Sequence, residues 1–343
     1  MSGILCDNKA LADAWYAVAR SIEVGGTPVK VTVLQRDIVL YRTRSGEIVA
    51  APDRCPHREA PLSAGSIEDG CLVCPYHGWT FAEDGKCIRV PSSAPGVPAP
   101  PRAHLSRYHV DEKYGLVFVC IGEPRAPIFT IDQDADATFR RINTPVEPWK
   151  ASATRMADNF CDITHFPYVH IGTFGRGQDT LVPKVELGPL DNSWFGYSYA
   201  VKANNDSSLG SLASGQTGDV VDRQMSTGFD LPFNVRSTIT YENGLSHIIL
   251  MLSTPIDDVN SYFTFVIWRN DDFSVAAEDV IRFDMAIGAE DKRMLELVPG
   301  VLSLDLTETV SVQADKCSVE WRRQLIAYMS STAASEALAK QPA

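Results

Sequence analysis

The sequence predicts an α+β protein of two domains: a small all-β unit, then a larger unit that sets a long helix against an antiparallel sheet. Three observations predict it. Over the first ~125 residues, short alternating apolar and polar runs are separated by Gly- and Pro-containing turns, the spacing of short strands. Strand-like alternation returns at STITYE, HIILMLSTPI and YFTFVIWRN. After it, SVAAEDVIRFDMAIGAEDKRMLELVPG (274–300) carries helical spacing closed by Pro-Gly. A chain of 343 residues is long enough for each half to bury its own core.

In chain order, VKVTVLQRDIVLYRTRSGEIVA reads as a hairpin turning at Ser45-Gly46. CLVC and WTFA read as short strands around a loop, and DGKC (84–87) as a further hairpin turn. PSSAPGVPAPPR (91–102) holds five prolines in twelve residues, so it is expected as an extended surface crossing. YGLVFVCIG (114–122) reads as a buried strand, closing a first domain expected at 1–128. The second domain is expected at 145–330. It opens with RMADNFCDITHF, where Met156, Phe160 and Ile163 share one helical face. NNDSSLGSLASGQTGD (204–219) reads as a mobile loop, and 331–343 as a disordered tail.

Composition narrows the function classes. The net charge of −12, with no Lys/Arg cluster longer than a pair, argues against nucleic acid. No apolar run approaches the roughly 20 residues that span a bilayer, and the first twenty residues lack the pattern of a secretory signal. A cytoplasmic location and no membrane partner are therefore expected, with the eight cysteines as thiols or metal ligands, not disulfides. Cys71, Cys87, Cys120 and Cys161 read as small buried hydrophobes, and His104 and His109 as surface or strand histidines.

CPHREAPLSAGSIEDGCLVCPYHGW (55–79) is the most informative stretch. A zinc finger groups its ligands by type and puts its histidines on a helix. Here Cys55 and His57 come from one turn-rich loop, Cys74 and His77 from another. That order suits a Rieske [2Fe–2S] centre, in which two thiolates hold one iron and two imidazoles the other. Cys71 and Cys74 also spell C-x-x-C, but no helix start follows to activate a thiol.

Such a cluster passes single electrons, so another site must use them. DNFCDITHFPYVH (158–170) offers His165 and His170. Five apart on an intact helix they would diverge by about 140°. Pro167 is expected to break the helix after His165 and let His170 turn back. The 274–300 helix offers Glu290 and Asp291 as carboxylates, and spacing does not decide between them. Two histidines and one carboxylate form the facial triad of non-haem Fe(II) oxygenases.

C-P-H with C-P-Y-H-G-W, then D-N-x-x-D-x-x-H-F-x-x-x-H, then A-E-D-K, together resemble the oxygenase (α) component of the Rieske non-haem iron oxygenases over residues 10–328. DITHFPYVHIGTF most resembles the monooxygenase branch, which includes methylxanthine N-demethylases and paralytic-toxin hydroxylases. The resemblance implies a helix-grip catalytic domain, a [2Fe–2S] cluster on Cys55, His57, Cys74 and His77, and mononuclear Fe(II) on His165, His170 and Asp291. It implies O2 as co-substrate and electrons from NAD(P)H through a separate ferredoxin and/or flavin reductase. It also implies a homotrimer and hydroxylation or oxidative demethylation of a small ring-bearing substrate. Rival readings are a cis-dihydroxylating ring dioxygenase and a Rieske electron carrier without catalysis.

Asp162, three before His165, is expected on the same helical face, accepting the Nδ1 proton of His165. The resemblance adds a bridge to a Rieske histidine of a neighbouring subunit. Asn159 reads as a hydrogen-bonding group behind the ligands or as a polar helix-start residue. Thr173, Phe174, Phe229, Phe233, Asn234, Asp284, Ile287 and Gly288 are candidates to line the substrate cavity, against core packing for the aromatics. Asp284 would be the charged group there, taking an N–H or a cation, unless it faces solvent.

Overall fold

The computed structural model describes residues 5–205, 210–211, 214–271 and 274–339, and the chain divides into two compact units between Pro127 and Ile128. The first opens with a helical turn, α1 (Lys9–Ala12), and strand β1 (Tyr16–Arg20). A meander follows, β2 (Val29–Val33), β3 (Arg36–Arg42) and β4 (Ile48–Pro52), then a small sheet of β5 (Ser66–Glu68), β6 (Cys71–Val73), β7 (Thr80–Phe81) and β8 (Cys87–Arg89). Strands β9 (His109–Lys113) and β10 (Leu116–Cys120) close the unit, with β10 paired between β1 and β9 and buried along its whole length. Residues 91–102 form no strand and are mostly exposed.

Where the sequence predicts one hairpin over 29–50, the structure has two. The additional turn is Leu34–Gln35, both at positive φ (49° and 59°), the signature of a tight β-hairpin turn. Glycine or asparagine signals such turns, and neither is present. Burial of Leu34 and a bond from Arg36 Nη1 to the Leu34 carbonyl (3.1 Å) hold it.

In the second unit β11 (Arg140–Asn143) and β12 (Glu147–Trp149) lead into α2 (Ala153–Cys161) and α3 (Phe166–Val169). Strands β13 (Gly188–Pro189), β14 (Phe195–Asn204), β15 (Val220–Asp230), β16 (Asn234–Tyr241), β17 (Ser246–Pro255) and β18 (Ser261–Arg269) then form one antiparallel sheet, ordered β11-β18-β17-β16-β15-β14-β13, with β12 also on β18. Two helices follow, α4 (Ala277–Leu295) and α5 (Lys316–Ala339). Helix α4 has Glu278 and Asp279 in its first turn and Lys292 and Arg293 in its last, the order that complements its dipole.

Packing fixes α2 and α4 over the sheet. Trp149, Phe160 and Phe265 pack around Phe263, with centroids 4.3 Å (149–263, tilted), 5.1 Å (160–263, stacked) and 4.6 Å (263–265, edge-to-face) apart. Each such burial stabilises by roughly 1.5–3 kcal/mol. Gly288 lets α4 come close, since a Cβ there would lie 2.9 Å from Phe265 Cε2. Trp321 of α5 is fully buried and donates to the Pro232 carbonyl at 2.9 Å.

Three expectations change. Helix α2 ends at Cys161, with Asp162 extended (ψ 147°) as its cap, so His165 is not on that helix. Pro167 lies in the first turn of α3 instead of ending α2, because a proline at a helix start forfeits no hydrogen bond. Helix α5 runs through Ala339, where a disordered tail from 331 was expected; Ala, Glu and Leu in that segment are strong helix formers, and 340–343 lie outside the described residues. The loop expected at 204–219 falls partly on 206–209 and 212–213, also outside the described residues. Around them Asn205 is 2% exposed and donates to the carbonyls of Gln216 (3.0 Å) and Gly218 (2.9 Å).

Candidate metal centres and substrate cavity

In the first unit the two loops of the Cys-His pairs sit on one core cluster that includes Tyr41, Leu62, Leu72 and Phe81. Cys55 and Cys74 belong to that cluster, at 1% and 2% exposure, whereas His57 and His77 are exposed. The loops double back tightly: Glu59 N donates to the Cys55 carbonyl (2.9 Å) and Gly78 N to the Cys74 carbonyl (3.1 Å). Asp53 accepts from Ser63 N and Oγ, both at 2.6 Å, pinning the first loop at its base. The imidazoles of His57 and His77 lie 4.6 Å apart, and Trp79 stacks flat on His57 at 4.4 Å.

The donor set fits a [2Fe–2S] cluster, which Cys55 and Cys74 would hold from the core side and His57 and His77 from the exposed side. The paired thiols are buried side by side, and burial, then the neighbouring Cys74, pushes Cys55 up to about 11. A buried thiol becomes a ligand only when a metal takes the place of its proton. Partial desolvation and the charges of His77 and Arg58 lower the His57 pKa, favouring the neutral imidazole that binds iron. Cys87, Cys120 and Cys161 are buried free thiols, whereas Cys71 is half-buried; His104 is exposed, as is His109 on β9.

In the second unit His165 caps the start of α3 and His170 caps its end, so one short turn brings both rings to one point. Their Nε2 atoms are 3.2 Å apart, and each lies 3.4 Å from Asp291 Oδ1. Behind them both Nδ1 atoms face carboxylates: Asp162 Oδ2 at 2.9 Å from His165 and Glu290 Oε2 at 3.1 Å from His170. With the Nδ1 protons held there, two bare Nε2 lone pairs and an acid converge, and a cation must join them. His165, His170 and Asp291 form a group able to hold a metal ion, and that donor set fits ferrous iron. Burial pulls the His165 pKa down, but Asp162 and Asp291 outweigh it and raise it to about 9. His170, nine-tenths or more enclosed and beside His165, is lowered by burial.

Asp162 works from an extended loop, not a helical face. Its Oδ1 accepts from Thr164 N (2.8 Å) and Oγ1 (2.7 Å), and Oδ2 also accepts from His165 N (3.1 Å). Burial raises its pKa, but the His165 and Thr164 bonds outweigh it and hold the carboxyl below its usual value. Asn159 donates to Asp291 Oδ1 at 3.0 Å. Glu290, which the sequence leaves open as a ligand, is occupied elsewhere. It accepts from Gly172 N (2.9 Å) and Thr173 Oγ1 (2.7 Å) as well as facing His170 Nδ1.

A cavity of about 80 Å³ lies over the three donor atoms, between α4 and the sheet. Phe174, Asp284 and Ile287 line it, while Thr173, Phe229, Asn234 and Gly288 do not. Thr173 is spent on Glu290, Phe229 packs on Phe195 (5.8 Å), and Gly288 lies against Phe265. Asn234 bonds Asp230 across the β15–β16 turn, and Phe233 is a core ring near Trp321. Asp284 is 1% exposed, not solvent-facing. Sequence reasoning missed Arg223 and His247 in the cavity wall. The available signal was strand alternation, which puts His247 on the same face as Ile249 and Met251, and Arg223 with Met225.

Comparison with known proteins agrees with this geometry. The profile of the Rieske [2Fe-2S] domain matches residues 14–108, and that of the vanillate O-demethylase oxygenase C-terminal domain matches 149–330. The methylxanthine N1-demethylase NdmA of Pseudomonas putida is 30% identical over 320 residues, 87% of this chain and 82% of that protein. The N3-demethylase NdmB of the same organism is 28% identical over 93% of this chain and 90% of its own. The solved structure of NdmA with caffeine superposes with a TM-score of 0.79 at 26% identity, covering 93% of this chain and 91% of that one. Dicamba monooxygenase bound to dicamba shares the fold, with a TM-score of 0.77 at 21% identity over 94% and 98% of the two chains. The chain belongs to the Rieske non-haem iron oxygenases, as an O2-using oxygenase component with a [2Fe–2S] cluster and a mononuclear iron.

Proposed function

We propose that this chain is a terminal monooxygenase in which Cys55, His57, Cys74 and His77 hold the cluster and His165, His170 and Asp291 hold the mononuclear iron. It works with a separate reductase or ferredoxin and a small-molecule substrate, as the relatives' class does. When bound, the cluster supplies single electrons and the ferrous ion activates O2. The chain's own residues set the stage for that. Asp162 and Glu290 hold the Nδ1 protons, Asn159 orients Asp291, and Phe174 and Phe283 shield the centre from water. One oxygen atom enters a C–H bond and the other leaves as water, consuming two electrons and two protons. If the carbon is an N- or O-methyl group, the hydroxymethyl product splits to formaldehyde and the demethylated compound.

The observation that carries the reading is the convergence of two Nε2 atoms and Asp291 Oδ1 beneath one cavity. Asp162 supports a bridging role because it lines that cavity and also a surface depression with Asp158 and Thr164. From there it can bond a Rieske histidine of a second copy, in a closed head-to-tail homotrimer in the cytoplasm. Domain limits of 1–128 and 145–330 go with this reading. Among the described residues no helix is long and apolar enough to cross a membrane. Metal and product analysis tests it together. We expect three irons per chain and one labelled atom from O2 in the product, with formaldehyde from a methylated ring substrate. Two irons would indicate an electron carrier, and two labelled atoms a dioxygenase.

A further inference from the structure

The cavity holds two charged groups that the metal centre leaves unused. Arg223 on β15 is 4% exposed, and its guanidinium lies over Phe174 and Tyr241, with Cζ 5.4 Å and 5.5 Å from the ring centroids. Among the described residues it has no ion pair and no side-chain hydrogen bond, and its Nε is buried without a partner. Other buried arginines face an acid: Arg236 meets Asp191 at 2.5 Å, Arg269 meets Asp271 at 2.6 Å and Arg322 meets Asp158 at 3.5 Å. Arginine cannot shed its proton to escape the cost of burial, and ring faces compensate only part of it.

Asp284 presents the opposite charge from α4. Arg269 Nη1 lies 3.2 Å from His247 Nδ1, and because a guanidinium only donates, Nδ1 must accept. The His247 proton is therefore on Nε2, which donates to Asp284 Oδ1 at 3.2 Å. That chain fixes Asp284 Oδ1 as an acceptor, and the other carboxylate oxygen, Oδ2, is buried without a partner. His247 aligns with Ile239 and Met225 across the sheet, so it is two strands and two residues from Arg223. The two α-carbons are thus about 12 Å apart, from strand spacing and rise.

We propose that the substrate is a small ring acid whose carboxylate pairs with Arg223 while an N–H or O–H of the same molecule donates to Asp284 Oδ2. The proposal rests on the reading of His165, His170 and Asp291 as the oxidising centre, and it names the substrate class for that site. Charge sets the direction of binding, because a carboxylate turned the other way would face Asp284. Phe174 links anchor to metal: it stacks on His170 at 4.8 Å and carries the Arg223 cation. A ring held by Arg223 is thereby kept beside the metal ligands.

The test measures binding without turnover. The full-length, iron-loaded protein is titrated anaerobically, with no reductant, against 4-(methylamino)benzoate and its neutral amide, 4-(methylamino)benzamide. The acid should bind about 10–100-fold more tightly than the amide, the weight of one charged hydrogen-bonded pair. Arg223→Met should erase that preference, and Arg223→Lys should restore part of it. In Asp284→Asn the acid preference should survive, while preference over 4-(dimethylamino)benzoate, which lacks the N–H, should fall. Equal binding of acid and amide to the unmodified protein, a preference that persists in Arg223→Met, or no acid binding at millimolar concentration overturns the proposal. Turnover of neutral substrates alone would defeat this inference and leave the oxygenase reading standing; tight acid binding with no oxidation would do the reverse.

Discussion

Replacing Glu290 with Gln separates a ligand from the group that aims one. The carboxylate accepts three times: from Gly172 N (2.9 Å), from Thr173 Oγ1 (2.7 Å) and from His170 Nδ1 (3.1 Å). A glutamine has one acceptor atom and one donor group. If its oxygen stays on Gly172, its NH2 faces His170 Nδ1, which must then accept and carry its proton on Nε2, the metal-facing atom. If the amide flips, NH2 meets the Gly172 N–H donor to donor. The first arrangement disfavours the His170 tautomer that binds iron; the second keeps that tautomer but sets two donors against each other at Gly172 and pushes the side chain off its support. Loss of such a support typically weakens metal affinity by about 10–100-fold, or about 1.4–2.7 kcal/mol. The assay is anaerobic Fe(II) titration of chelator-stripped protein, with the visible spectrum of the [2Fe–2S] cluster as internal control. Affinity within about threefold of the unmodified protein would refute the argument.

Three further outcomes are expected. Asp162→Asn should retain the [2Fe–2S] cluster yet abolish coupled turnover even with the mononuclear site saturated by added Fe(II), as read by cluster absorbance, iron content and product formation; unaltered turnover would remove Asp162 from the electron path. Gly65→Ala should lower cluster content, since a Cβ there would lie 2.0 Å from the Val73 carbonyl, one residue before Cys74; overpacking of this kind costs about 1–3 kcal/mol, and full cluster absorbance after purification would contradict it. Stripped protein should release about one proton per Fe(II) bound at pH 7.5, because His165 is raised to about 9. Raised above its ordinary value of 6.5, His165⁺ with its two acids stabilises the stripped protein fully below pH 6.5. That stability is lost as pH rises through about 9, and a pH-independent thermal midpoint across this window would count against it.

The residues that carry chemistry were more legible than the backbone that presents them. Cys55, His57, Cys74 and His77 stand out because a cluster would restrict residue type and spacing. The Leu34–Gln35 turn does not, because burial of Leu34 imposes a conformation its residue types disfavour. His165 and His170 stand out in the same way, whereas the backbone between them does not follow the helical pattern. Helical spacing continues past Cys161, but the Asp162 carboxylate offers Thr164 and His165 backbone bonds that compete with the helix and end it. Arg223 and His247 stayed hidden within strand patterns, since one charged residue on an alternating strand reads as its solvent face. The burial of Arg223 and His247 beneath Phe283, Asp284 and Ile287 shows that this face is the covered one.

Helix α4 explains how neighbouring acids come to have different tasks. Successive residues diverge by about 100°, so Glu290 and Asp291 cannot face the same atom. Asp291 reaches the Nε2 side of both histidines, and Glu290 the Nδ1 side of His170. Asp284 is seven residues before Asp291, about 20° from the same line, and so looks into the same cavity. Sliding or turning this helix would therefore disturb ligand, tautomer and substrate contact at once. Its register is held at Gly288, where the helix lies on Phe265 with no space for a side chain. A Gly288→Ala change, one methyl group on a residue with no side-chain hydrogen bond to lose, should thus weaken Fe(II) binding as well as substrate binding. Loss of substrate binding with unchanged metal affinity would show instead that the two ends of the helix are positioned independently.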